Sequence, residues 1–465
     1  MDMKLFVSLA IVTAVVLMLH QPSVVTAATI PHHTTMPAAN ASLSGFSLQL
    51  VDGADHDHEG LDHAAAVRRV GDGFLHLQSQ SLRATNSSAA SPEMTTTYTP
   101  LRLPSAVVVG VGTGRGHQDY LFQVVNTPST LIWMQCHGCN PHSPQRHPLF
   151  DSSASPTYHL VRGTDPFCQP PYWSEFNGGA CAFRVNGPRG MFVEGYFGAD
   201  TLTYDGKVHQ HVPFGCAHQA SHFQNDGMYA GVIEATVLGH GLTTFSYCLF
   251  HGGGGGETSR RRGFLRFGTD VPRNPRYRTT RILPALEGHE PSGHYVSLVG
   301  VSLGARRLDA IRPEMFARRE DGGGGCVVDL GTPVTVMAEE AYEVVEEAVW
   351  SELRRHGAER VERPGLGYSV CVRASEAVMG RLRSLSLSLH FEEEEAVLVV
   401  APEQLFLMVD DEEQGRRVAC LAVKPGRRTV VGALQQVDTR FVFDLKESKL
   451  SFAPESCIQD TVEVV

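Results

Sequence analysis

Two short stretches of this chain join an apolar run to a polar residue, a tight turn and a hydroxyl. That is what a sequence needs to present an acid–base group on a loop. The first runs Leu121-Phe122-Gln123-Val124-Val125-Asn126-Thr127-Pro128-Ser129 and on to Trp133; the second runs Cys326-Val327-Val328-Asp329-Leu330-Gly331-Thr332-Pro333. Either one alone is a common turn, because Asp and Asn side chains hydrogen-bond their own backbone two residues on. Two such loops, one in each half, can meet and place their polar residues side by side. Two carboxyls so placed would share one proton, because like charges this close cannot both ionise. One could then draw a proton from a water while the other donates to a carbonyl. Here only the second loop carries a carboxylate, Asp329.

Further motifs follow in a fixed order: Leu131-Ile132-Trp133-Met134-Gln135-Cys136, Pro213-Phe214-Gly215-Cys216, Phe245-Ser246-Tyr247-Cys248, the Asp329 turn, Val430-Val431-Gly432-Ala433-Leu434-Gln435-Gln436 and Phe452-Ala453-Pro454-Glu455-Ser456-Cys457. With these in place, nearly the whole chain resembles the plant nepenthesin-like branch of the pepsin-type aspartic proteases. The segment beginning Gly45-Phe46-Ser47-Leu48 resembles that family's prosegment. The resemblance implies a mainly β, bilobal fold in which two β lobes face each other across a cleft with a few short helices. It also implies acid proteolysis by an aspartate pair, one per loop.

Against the family pattern the chain departs at four points. Asn126 stands where the first catalytic aspartate is expected, and an amide can neither hold the charge nor relay the proton. Pro128 replaces a loop glycine, which removes an N–H and pushes Thr127 toward an extended backbone. Leu330 replaces a hydroxyl residue after Asp329. Gly187 falls where the flap tyrosine is expected. Thr127, Ser129, Gly331 and Thr332 match as supporting residues, and Trp133 as an indole anchor in the cleft. Losing general acid–base function costs roughly 10²–10⁴ in rate, and members of a catalytic unit are not additive. The expectation is therefore an impaired protease homologue whose cleft still binds a peptide or protein by strand-like hydrogen bonds. Two alternatives stand beside it. One is a weak acid endopeptidase working through Asp329; the other is a non-catalytic inhibitor of the xylanase-inhibitor type, with a secreted microbial hydrolase as its partner.

The elements that must hold these loops read mostly as short strands with turn punctuation from about residue 99. Leu385 to Phe391 alternates strictly, and Phe441 to Phe452 reads as a hairpin turning at Lys446 to Lys449. One long helix is expected over Met337 to His356, with Tyr342, Val345, Val349 and Leu353 on one face and Gly357 as its stop. The expected domains are a signal peptide (1–27), a prosegment (28–98), a first lobe with the Asn126 loop (99–270) and a second lobe with the Asp329 loop (271–465).

Lys4 followed by the apolar run Leu5 to Leu19 and by Val25-Thr26-Ala27 has the form of a secretory signal. Asn40 and Asn86 are glycosylation acceptors. Secretion to the apoplast or, alternatively, a vacuole is expected. No later run is long enough for a membrane span. The ten cysteines are even in number and compatible with five bridges, the pairing open. Sites where the family carries further cysteines hold His142 and Gly163. Cys136-His137-Gly138-Cys139 has no second pair at zinc spacing, so no metal and no cofactor are expected. With 39 basic against 50 acidic residues, a formal net charge of −11, the surface does not suit phosphate backbones. A monomer is expected, because the cleft forms within one chain.

Overall fold

Period-two alternation buries every second side chain of a half-covered strand. The strand Leu387–Phe391 accordingly buries Leu387, Leu389 and Phe391 and leaves Ser388 and His390 less covered. Most of the regular structure among the described residues is strand. The computed structural model describes residues 45–51 and 105–457 apart from short internal stretches, among them 127–131, 187–190, 224–228 and 251–262. The signal-peptide segment, Asn40 and Asn86 lie outside the described residues.

The first half forms a nine-stranded sheet. Along its main path the strands run Ala106–Val111, Gln118–Val125, Gly231–Glu234, Trp133–Gln135, Lys207–Ser221, Phe192–Tyr204, Cys181–Asn186 and Ser174–Glu175. In the second half Tyr295–Val296, Cys326–Val328, Thr429–Val431, Thr335–Ala338 and Val423–Gly426 form a five-stranded sheet, beside sheets of four and three strands. The fold is mainly β with few helices, as expected.

A six-stranded antiparallel sheet joins the halves. Thr244–Cys248 and Gly263–Phe267 come from the first, and Thr439–Asp444, Lys449–Pro454 and Arg278–Arg281 from the second. Its face is a run of buried aromatics, with Phe245 stacked on Phe443 at 4.9 Å and Tyr247 on Phe441 at 5.9 Å. Arg440, a fully buried cation there, is held by both oxygens of Glu455 at 2.9 and 2.7 Å. The edge strand Phe46–Leu50 pairs with Gly263–Phe267 and buries Leu48 and Leu50. This strand falls within the stretch read as prosegment, so part of that stretch is built into the sheet that joins the lobes.

The expected helix spans Glu339–Arg355 and buries Tyr342, Val345, Val349 and Leu353, with Gly357 at φ 78° after its end. The hairpin turns between Asp444 and Lys449 as read. The cysteines depart from the five bridges that their number allowed. Four bridges form, Cys136–Cys216, Cys168–Cys181, Cys248–Cys457 and Cys371–Cys420. Cys139 and Cys326 are free and buried. They lie apart, Cys139 just after the first lobe's Cys136 turn and Cys326 opening the strand before Asp329. Removing the long-range bridge with Cys457→Ser should cost about 2–5 kcal/mol of stability, read by urea unfolding.

His294 is buried against Phe443, at 5.3 Å, and Phe245, at 6.4 Å. Burial pushes its pKa down from 6.5 to about 4. A depressed base favours the neutral imidazole in the folded state. Its contribution, about 3 kcal/mol in full, is therefore present above pH 6.5 and lost as pH falls toward 4. Thermal melts from pH 7 to pH 4 should show a destabilisation on acidification that His294→Phe reduces.

Candidate functional site

The two loops singled out by sequence are built the same way. The strand Gln118–Val125 delivers Asn126, and the chain returns as Trp133–Gln135. Between these arms runs Gly231–Glu234, parallel to the first and antiparallel to the second. In the second lobe, Cys326–Val328 delivers Asp329 and the chain returns as Thr335–Ala338. There the crossing strand is Thr429–Val431, parallel to one arm and antiparallel to the other. Each crossing strand has a glycine where it meets the loop's return arm. A Cβ on Gly231 would lie 1.9 Å from the Trp133 carbonyl oxygen, and one on Gly432 would lie 2.3 Å from the Val334 carbonyl carbon. Only a residue without a Cβ allows that approach.

Asn126 and Asp329 meet. The Asn126 backbone N–H donates to Asp329 Oδ1 at 3.2 Å, and Asn126 Nδ2 donates to the Val328 carbonyl at 3.4 Å. Gln123 Nε2 donates to the Gly331 carbonyl at 3.1 Å. All three bonds run from donors of the first lobe to acceptors of the second. Within its own loop Asp329 is braced by the Gly331 N–H on Oδ1 at 3.1 Å and the Thr332 hydroxyl on Oδ2 at 2.7 Å. A carboxylate accepting several such bonds is held in one orientation.

Behind the loops lies a layer that sequence motifs contained but did not reveal as a network. Gln436 Nε2 donates to the Asp329 carbonyl at 3.1 Å and to the Val431 carbonyl at 2.8 Å. Its Oε1 accepts from the Tyr247 hydroxyl at 2.7 Å. Tyr247 is fully buried, and burial, with the Asp329 charge adding to it, pushes its phenol well above the ordinary range; Asn126 acts the other way. The phenol therefore stays a neutral donor. Glu234, at the end of the first crossing strand, is also fully buried.

Of the residues expected at the site, Asn126, Asp329, Gly331 and Thr332 come together. Thr127, Pro128, Ser129 and the flap position Gly187 lie outside the described residues. Trp133 departs from the reading as a cleft anchor. It is 2% exposed and packs edge-on against Phe223 at 4.7 Å. It belongs to a buried cluster with Leu121, Phe183, Phe197 and Tyr229, so the indole serves the first lobe's core. Leu330 is 1% exposed and also packs into core. Among the described residues, no group of three or more His, Cys, Asp or Glu side chains is placed to hold a metal.

Two β lobes, each lending one strand-crossed loop to a shared centre, define a pepsin-like fold. Residues 107–269 match the family described as Xylanase inhibitor N-terminal, and residues 293–454 the one described as Xylanase inhibitor C-terminal. Curated relatives include Aspartyl protease family protein 2 of Arabidopsis thaliana, 28% identical over 380 residues, covering 76% of this chain and 73% of the relative. Another is Aspartic proteinase nepenthesin-2 of Nepenthes gracilis, 25% identical over 343 residues, covering 72% of this chain and 74% of the relative. The fold is similar to the crystal structure of Basic 7S globulin from soybean, with a TM-score of 0.55 and 18% identity over 76% of this chain and 93% of that one. It is similar too to the crystal structure of edgp, with a TM-score of 0.52 and 16% identity over 76% of this chain and 92% of that one. The chain belongs to the pepsin-like aspartic protease family, in the form built from paired xylanase-inhibitor domains.

Tyr247→Phe leaves Gln436 Oε1 without its donor and should destabilise by about 1–3 kcal/mol. The loss should be equal at pH 5 and pH 8, because the phenol is protonated in both states at either pH. Urea unfolding at the two pH values measures it.

Proposed function

We propose that this chain is a secreted member of the pepsin-like family with strongly impaired hydrolysis, whose cleft binds a peptide or protein. The observation that carries the reading is Asn126 in hydrogen-bond contact with Asp329. Family chemistry needs two carboxyls that exchange one proton. An amide has no titratable proton, so Asp329 has no acid partner at Asn126. The amide also donates one of its N–H groups to the Val328 carbonyl of the other lobe. Gly187 in place of the flap tyrosine acts in the same direction. Glycosylation at Asn40 and Asn86 and delivery to the apoplast, or to a vacuole, accompany this reading; four disulfides fit an oxidising compartment.

The family descriptions of both halves favour a second reading within the same fold, a protein-binding role of the inhibitor kind toward a secreted hydrolase. It needs no working pair of carboxyls. No helix among the described residues is long and apolar enough to cross a membrane.

Digestion of a denatured protein at acidic pH, with pepstatin as control, tests the proposal. Wild type should show no pepstatin-sensitive cleavage, and Asn126→Asp should show a gain if the rest of the site is competent. Pepstatin-sensitive cleavage by wild type would make the protein a working acid endopeptidase and end the proposal.

A further inference from the structure

The strand that crosses the first loop ends on a fully buried carboxyl. Glu234 is 0% exposed. Its Oε2 accepts from the Thr236 N–H at 3.0 Å and from the Thr236 hydroxyl, while Oε1 has no hydrogen-bond partner. Asn126, also 0% exposed, has its Nδ2 committed to Val328 and its Oδ1 without a partner. Parallel register sets Glu234 beside Val125, the residue immediately before Asn126.

Two buried oxygens, on adjoining ends of paired strands, therefore both lack a donor. As acceptors they cannot satisfy each other, and leaving each unpaired costs about 1–3 kcal/mol or more. One proton resolves both, because a carboxylic acid O–H donates to an amide oxygen. We propose that Glu234 is a neutral acid that donates its proton to Asn126 Oδ1 and so positions the amide beside Asp329. The bond rests on the reading of Asn126 as part of the site. It makes Glu234 a positioning residue and leaves Asp329 as the centre's one anion.

The electrostatics agree. Burial raises the Glu234 pKa well above the ordinary carboxyl value, the Thr236 and Val237 N–H groups oppose it, and the Asp329 charge adds to the rise. Tyr247, which faces Asn126 from the sheet joining the lobes, is held neutral by burial and brings no charge. The competing arrangement is an ionised Glu234 capping the short helix Ala235–Leu238 through the Thr236 N–H. That would bury an anion without a cation, close to a second carboxylate, which is costly.

Infrared difference spectra of the full chain near pH 6.5 separate the two. The neutral-acid bond predicts a protonated-carboxyl C=O band in wild type that vanishes in Glu234→Gln and shifts in Asn126→Ala. No such band, or a band indifferent to either substitution, overturns the proposal. A stability series gives an independent reading. With its folded pKa raised, Glu234 stabilises fully below the ordinary carboxyl pKa and loses that contribution as pH rises toward the folded value. Glu234→Gln should therefore gain on wild type, in thermal midpoint, as pH rises from about 4.5 to 8; a constant difference overturns the proposal. Neither readout depends on proteolysis, so cleavage by wild type would end the functional reading and leave this one standing.

Discussion

The centre of this molecule depends on a hydrogen bond that crosses between its lobes, from the Asn126 backbone N–H to the Asp329 carboxylate. A carboxylate can be held there only if its other lone pairs are also met. Gly331 and Thr332 do that from within the same loop. Every described bond across the centre has its donor in the first lobe and its acceptor in the second. Charge therefore sits on one side, at Asp329, and the other side answers with amides. Such an arrangement holds the lobes in register, but has no proton for Asn126 and Asp329 to exchange.

The frame behind that contact is rigid for reasons that reach down to single atoms. Each loop is straddled by one crossing strand, and Gly231 and Gly432 let the strand approach the loop's return arm more closely than a Cβ allows. Gln436 then ties the Asp329 carbonyl to the crossing strand and passes the bond to Tyr247 in the sheet that both lobes share. Position at the centre is thus set by the sheet joining the lobes as much as by the loops. This explains how the scaffold holds an amide against a carboxylate at its middle.

Much of this was legible in the sequence. Asn126 and Asp329 stood out because strand, polar residue and turn recur in each half, and the structure brings them together. The long helix and the final hairpin followed from periodicity and turn residues. Trp133 lies in the first lobe's core against Phe223; motif position says nothing of which face of a strand is covered. The cysteine count allowed five bridges, but pairing is a matter of distance; Cys139 follows a first-lobe turn while Cys326 opens a second-lobe strand. Tyr247 and Gln436 sat inside recognised motifs, yet their contact joins residues 189 apart and exists only through sheet register. The burial and orphaned oxygen of Glu234 are tertiary facts that no motif carries.

The central claim is that Asp329 works without an acid partner at Asn126 and so supports no appreciable peptide hydrolysis. Rates of acid cleavage of one denatured substrate by wild type and by Asp329→Ala test it most directly. The account predicts equal rates, both at the level of substrate alone. A wild-type rate clearly above that of Asp329→Ala, and abolished by pepstatin, would contradict it.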